Sequence, residues 1–206
     1  IHPGYGFLSE SAEFAQMCAQ NDIIYIGQKP HHIELFGDKM ASKVAMREIG
    51  VPVLGGTDDP VTDKIEGEKA ANEIGFPVII KAAYGGGGRG MRIVKKAKDF
   101  SKLYDEATTE SMKYFGRDEV FIEKYVENPR HIEVQIIADS YGNVVHLGER
   151  DCSIQRRHQK VIEIAPSPRL DAATRKELFR VSTKAMFRLG YESVGTIEFL
   201  LDEDDN

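Results

Sequence analysis

The sequence predicts an α/β (α+β) fold, and three observations predict it. Short apolar runs of strand character recur at 77–83, 91–94, 120–126, 131–138, 144–147 and 194–201. Helical stretches with capping residues at their ends fall between them. A glycine loop, GGGGRG at 85–90, joins two of the strands instead of a strand and a helix.

In chain order, Ser9 is the candidate N-cap of a helix over 10–21, and 23–26 reads as a short strand closed by Gly27, the tail of an α/β unit. Two short helices read as a linker: Pro30 opens the first, Asp38 caps the second, and Gly50 with Pro52 stops it. Strand 77–83, the glycine loop and strand 91–94 lead into a helix around 100–115. After the strands at 120–126 and 131–138, the stretch from Asp139 to Asn143 has the chemistry of a hairpin turn into 144–147. A helix of about 172–189, capped by Asp171 and ended by Gly190, precedes the last strand. The chain opens on IHPGYG without a methionine, and after 194–201 nothing follows for that strand to pair with, so the expectation is a fragment cut at both ends.

At 206 residues, 41% hydrophobic and 29% charged, the composition is that of a globular domain, with no apolar run near the ~20 residues of a membrane helix. A net charge of −6 argues against a nucleic-acid protein, so any anion site has to be local. Cys18 and Cys152 match no zinc spacing, which favours a reducing compartment; the expected location is the cytoplasm, with the mitochondrial matrix as the alternative.

Gly85, Gly87 and Gly90 satisfy the dinucleotide pattern formally, but that fingerprint needs a helix next, and Met91 to Val94 read as a strand. The Walker pattern fails because Met91 stands where lysine is required. What remains is a glycine hairpin whose backbone N–H groups can approach phosphate, with Lys81 adding charge just before it; a mobile surface hairpin is the other reading.

Alternation over 130–139 puts His131, Glu133 and Gln135 on one side and Ile132, Val134 and Ile136 on the other. Solvent is the preferred destination for Glu133 and Gln135. Arg150, Arg156, Arg157, His158 and Lys160 concentrate positive charge in an acidic chain, suiting either an anion or a solvated basic edge. Glu198 sits amid Ile197, Phe199, Leu200 and Leu201, where a hard cation would compensate a buried carboxylate; alternation toward solvent would also explain it.

HPGYGFLSE (2–10), GDK (37–39), VIIKA with the glycine loop and Met91, EKYVENPR (123–130) and above all RDCSIQRRHQKV (150–161) resemble the biotin carboxylases, the ATP-grasp components of acetyl-CoA, propionyl-CoA and pyruvate carboxylases. The resemblance spans essentially the whole chain. It implies an ATP-grasp fold with a glycine-rich lid, divided as the end of an N-terminal domain (1–28), a helical linker (29–53), the lid subdomain (54–125) and the first part of the C-terminal ATP-grasp subdomain (126–206). It also implies a reaction in which bicarbonate and Mg-ATP give carboxyphosphate, which carboxylates biotin on a carrier.

By the same resemblance, Lys39 and Lys81 contact phosphates while Gly87 and Gly88 close over them, and Glu123, Lys124 and Val126 line the adenine pocket. His131, Gln155 and His158 complete the nucleotide site, Lys160 binds bicarbonate, Glu198 holds Mg²⁺ (or Mn²⁺), and Tyr5 faces biotin. Lys160, His158 and Glu198 are the expected catalytic groups. Implied partners are a biotin carboxyl carrier protein or domain, a carboxyltransferase component and, in the full-length protein, a second copy in a homodimer; neither nucleic acid nor membrane is expected. The family continues past Asn206 with a second metal-binding glutamate and further bicarbonate contacts, so this chain alone is expected not to turn over. Two other readings stand beside this one: another ATP-grasp ligase of the carbamoyl-phosphate-synthetase type, and a noncatalytic nucleotide-binding module.

Overall fold

A computed structural model describes residues 1–83, 90–156 and 159–204, apart from the side chain of Lys39. The chain forms two compact units, 53–127 and the remainder, 1–52 with 128–206.

Helix α1 (Ala12–Gln20) is capped by Ser11, whose hydroxyl accepts from the Phe14 N–H at 3.1 Å. This corrects the expected cap: the Ser9 hydroxyl donates to the Gly6 carbonyl inside a 3-10 turn, Phe7–Glu10, and is spent there. The expected strand at 23–26 is also absent from both sheets. Its backbone bonds to Ile1, through Ile26 N–H to the Ile1 carbonyl (2.9 Å) and the Ile1 amine to the Ile24 carbonyl (2.5 Å), and back to α1, through Ile23 N–H to the Cys18 carbonyl (2.9 Å), which is too little to make a ladder. Helix α2 (Pro30–Gly37) starts at its proline, and in α3 (Lys39–Glu48) the Asp38 carboxylate accepts from Met40 and Ala41 N–H groups, as capping chemistry requires.

The unit 53–127 contains a helix that the sequence reading passed over, α4 (Lys64–Ile74), capped by Asp63 at 2.8 and 2.9 Å. Its pattern is obscured by Gly67 at mid-helix. A Cβ there would stand 3.1 Å from Tyr104, 3.2 Å from Ile122 and 3.3 Å from Phe100, so the glycine permits close packing at the cost of helix propensity. Strands β1 (Val78–Ala82) and β2 (Arg92–Val94), helix α5 (Phe100–Phe115) and strand β3 (Val120–Lys124) complete the unit, with sheet order β2-β1-β3, all antiparallel. Val78, Ile80, Val94, Val120 and Ile122 are buried under α4 and α5 against Phe100, Tyr104 and Ala107. Alternation leaves Ile79, Lys81, Ile93, Phe121 and Glu123 on the opposite, open face.

The rest of the other unit is β4 (Arg130–Ala138), β5 (Val144–Arg156), β6 (Gln159–Ile164), α6 (Ala172–Arg188) and β7 (Ser193–Leu201). Strand β5 runs nine residues further than the expected 144–147, because it continues as one arm of the hairpin that holds the basic segment. The sheet order is β6-β5-β4-β7, so the last strand pairs along its whole length with β4, which precedes it in the chain. Ile132, Val134, Ile136 and Ala138 bury one face with Leu178 and Met186 of α6. On that same covered side, the Glu149 carboxylate accepts from Arg175 Nε (2.8 Å) and Ser167 N–H (3.1 Å), pinning the β6–α6 connection to the sheet. The register slips near Val134 and Ile136 and again in the β5–β6 pair, and these irregularities set which side chains meet on the open face.

Candidate functional site

In the unit 53–127, β1 and β3 place Lys81 and Glu123 side by side on the open face, as an ion pair in which Glu123 is the better buried partner. The Lys124 ammonium turns elsewhere, donating to the Gly75 and Phe76 carbonyls at 2.9 and 3.1 Å. Val126, just past β3, is half-buried. The described chain resumes at Gly90, where a φ of +68° would strain any other residue and a Cβ would crowd that of Ala82 at 3.0 Å. Gly87, Gly88, His158 and the Lys39 side chain lie outside the described residues.

The open face of the four-stranded sheet holds a second, denser cluster. Glu133, 4% exposed, lies opposite Arg150 on β5 and Glu198 on β7. One of its oxygens accepts from Arg150 Nε and the other from Lys160 Nζ, and Lys160 also donates to Glu198. Two carboxylates face each other across the strands, and the ammonium between them offsets their repulsion. Arg150 Nη1 donates to Gln135 Oε1 at 3.1 Å, and Gln135 Nε2 donates to the Gly195 carbonyl at 2.9 Å. The bonds thus form a circuit that leaves β7 at Gly195 and returns to it at Glu198.

The electrostatics follow from these contacts. Burial works to raise the Glu133 carboxyl, but the bonds from Lys160 and Arg150 outweigh it and hold the carboxyl below its ordinary value. Burial opposes the charge on Lys160, yet Glu133 and Glu198 win and raise its ammonium above the usual range. Lys160 is therefore a firmly charged cation. Beneath the pair, the buried Cys152 thiol is pushed up to about 11, first by burial and then by Glu133, and it stays protonated at neutral pH.

Solvent was the expected surrounding of Glu133 and Gln135, and the structure overturns it. A buried carboxylate on a sheet face needs cationic partners, and Arg150 and Lys160 supply them across strands, with Gln135 half-buried beside them. Arg150 is likewise engaged inside the sheet and is not part of a solvated edge. Glu198 lies on the open face with its side chain 61% exposed, while its neighbours Ile197 and Phe199 pack inward; alternation, not a buried charge, accounts for its apolar company. Gln155 folds onto the Cys152 carbonyl (3.0 Å), the His131 N–H donates to the Ser153 hydroxyl (3.1 Å), and Tyr5 is exposed in the N-terminal segment. Sequence reasoning sent Glu133 and Gln135 to solvent and took Arg150 only as one member of a basic cluster; the available signal for joining them was a carboxylate on a strand followed closely by a basic segment.

A hard cation fits Glu198, an exposed oxygen donor, because Mg²⁺ keeps several waters and substrate oxygens and asks little of the protein. Among the described residues the cluster of metal-capable donors is Glu133, Cys152 and Glu163, with ligand atoms within 4.8 Å of one another. It does not suit Mg²⁺, since its sulfur is soft and protonated and both Glu133 oxygens already serve cations.

A three-stranded lid-type sheet bearing a glycine loop, and a four-stranded sheet bearing an open-face charge cluster, define the chain as an ATP-grasp protein. It belongs to the family described as the carbamoyl-phosphate synthase L chain ATP-binding domain, matched over residues 38–206, and within it to the biotin carboxylases, whose N-terminal domain model matches residues 1–33. The chain is 54% identical over 202 residues to a biotin carboxylase of Nostoc sp., and 51% identical over 202 residues to human mitochondrial pyruvate carboxylase. These alignments take in 98% of the chain but only 45% and 17% of those relatives, so the chain spans less than half of their length. Among solved structures, the Campylobacter jejuni biotin carboxylase in complex with beta-gamma-ATP superposes with a TM-score of 0.87 at 50% identity, over the whole chain and 46% of the other. The biotin carboxylase domain dimer of Hydrogenobacter thermophilus 2-oxoglutarate carboxylase, solved with MgADP, ADP and bicarbonate, gives 0.86 at 50% identity with the same coverage.

Proposed function

We propose that this chain carries the ATP site and the bicarbonate-activating lysine of a biotin carboxylase. The observation that carries the reading is Lys160, a charged ammonium fixed by Glu133 and Glu198 on an open sheet face. A cation so held offers a third N–H to an anion without having to be ordered on binding. Bicarbonate is the anion of the right size and charge, and Lys160 would hold it while one of its oxygens attacks the γ-phosphorus of ATP. That oxygen–phosphorus bond forms as the bond to the β-phosphate oxygen breaks and ADP leaves; carboxyphosphate then passes its carboxyl group to N1′ of biotin as its carbon–oxygen bond to phosphate breaks, and the departing phosphate takes up the N1′ proton.

Phosphoryl transfer asks chiefly for positioning and charge neutralisation. Lys39 and Lys81 would take phosphate oxygens, with Gly87 and Gly88 donating backbone N–H groups over them. Glu123, Lys124 and Val126 would border the adenine, His131, Gln155 and His158 would complete the nucleotide site, and Tyr5 would face biotin. Mg²⁺ bound at Glu198 would neutralise charge on the phosphates. The proposed partners are a carrier-borne biotin, a carboxyltransferase and a second copy of the full-length chain, and the proposed location is the cytoplasm.

Calorimetry of Mg-ATP with this chain, repeated for Lys81→Ala and Lys39→Ala, tests the phosphate roles. Each substitution is expected to weaken binding by at least about tenfold, the worth of one charge-assisted contact; unchanged affinity in both removes the assignment. Bicarbonate-dependent ATP hydrolysis is expected from the complete protein and not from residues 1–206 alone. A complete protein that binds ATP but shows no such hydrolysis would be a nucleotide-binding module instead.

A further inference from the structure

Lys160 is oriented by Glu133, and Glu133 is oriented by Arg150, which raises the question of what orients Arg150. Two carboxylates compete for its guanidinium. Glu133 accepts from Nε directly, and the exposed Glu163 on β6 stands 3.6 Å from the same atom. Glu163 is the less costly partner to leave in water, whereas Glu133, buried at 4%, requires two cations. A guanidinium drawn toward Glu163 would leave Glu133 with Lys160 alone and would free one carboxylate oxygen to pull the ammonium out of place.

Gln135 decides between these outcomes. Its Nε2 donates to the Gly195 carbonyl at 2.9 Å and to the Ile136 carbonyl at 3.3 Å. Both acceptors lie in the sheet backbone, so the amide has one satisfactory orientation, with Oε1 toward Arg150 Nη1 at 3.1 Å. The planar fork of arginine then engages Gln135 with one nitrogen and Glu133 with another, and its plane is set by two points at once. We propose that Gln135 is a positioning residue for the carboxylation site, holding Arg150 on Glu133 and away from Glu163, and so keeping Lys160 in register with Glu198. The inference rests on the reading of Lys160 as the bicarbonate ligand.

The test is steady-state kinetics of the complete protein with Gln135→Met, which keeps the length and apolar volume of the side chain but removes both hydrogen-bonding functions. The expected result is a bicarbonate KM raised about tenfold, the size of one hydrogen bond to a charged group, with the KM for ATP within about twofold of wild type. Adding Glu163→Gln to Gln135→Met removes the rival carboxylate and is expected to return the bicarbonate KM most of the way. A bulk structural role would move both KM values together, lower the urea midpoint and give no rescue; that result, or an unchanged bicarbonate KM, overturns the proposal. If Gln135→Met fails to fold, Gln135→Asn serves, since the shorter amide cannot reach both Gly195 and Arg150. Lys160→Ala separates the two levels: bicarbonate dependence that survives it sinks the functional reading, whereas its loss together with a neutral Gln135→Met sinks the positioning role alone.

Discussion

Both sheets use the same device, a carboxylate holding a lysine on an open face, but they hold it with different firmness. In the three-stranded sheet, Lys81 pairs with Glu123 and keeps 40% of its side chain exposed. In the four-stranded sheet, Lys160 has two carboxylates, one of them in turn shared with an arginine that a glutamine steadies. The difference matches what each is proposed to do. A lysine that follows phosphates from a lid has to release them, whereas a lysine that aligns a small nucleophile has to stay still.

The two lysines differ most in what the loss of their carboxylate partners costs. Glu133→Ala leaves Arg150 and Lys160 without the buried anion between them, and a loss of about 3 kcal/mol in urea unfolding is expected. Glu123→Ala removes one partner of a lysine already open to water, and at most ~1 kcal/mol should follow. Equal losses would mean that the two clusters do not differ in firmness.

Acid unfolding separates the units by a second route. His32 on α2 is 1% exposed, with Nε2 against the Leu189 carbonyl at 3.0 Å and Nδ1 without a hydrogen-bond partner among the described residues. Burial pushes its pKa below the ordinary 6.5, with His31 and Lys29 acting the same way and Leu189 and Glu192 against. The unfolded chain therefore takes up the proton first, so the stabilising contribution is whole above pH 6.5 and is lost as pH falls through the folded value. Residues 53–127 contain no histidine. Hydrogen exchange between pH 7 and 5.5 should show α2 and the end of α6 loosening while α4 and α5 do not, and His32→Phe should abolish the trend.

The smallest expected difference concerns helix caps. Ser11→Ala and Asp63→Ala each remove a cap of backbone N–H groups, one in each unit, and should each cost about 1 kcal/mol by urea denaturation. Matching losses would place the contrast between the units on the open sheet faces and not in their helices.

The sequence by itself determined what is local. Asp38 and Asp171 cap helices where capping chemistry put them, the glycine loop joins two strands, and the apolar side of β4 is the buried one, because caps and alternation act within a few residues. It also named the family, since RDCSIQRRHQKV is a contiguous string. Tertiary structure alone decided the rest. The Ser9 and Ser11 hydroxyls compete for one helix start, and the backbone around Gly6 settles the choice. Helix α4 exists because Gly67 lets it pack, against its own propensity. Glu133 was assigned to water because its partners, Arg150 and Lys160, reach it only through cross-strand registers shifted by irregular pairing, and register is a property of the sheet that no single strand encodes.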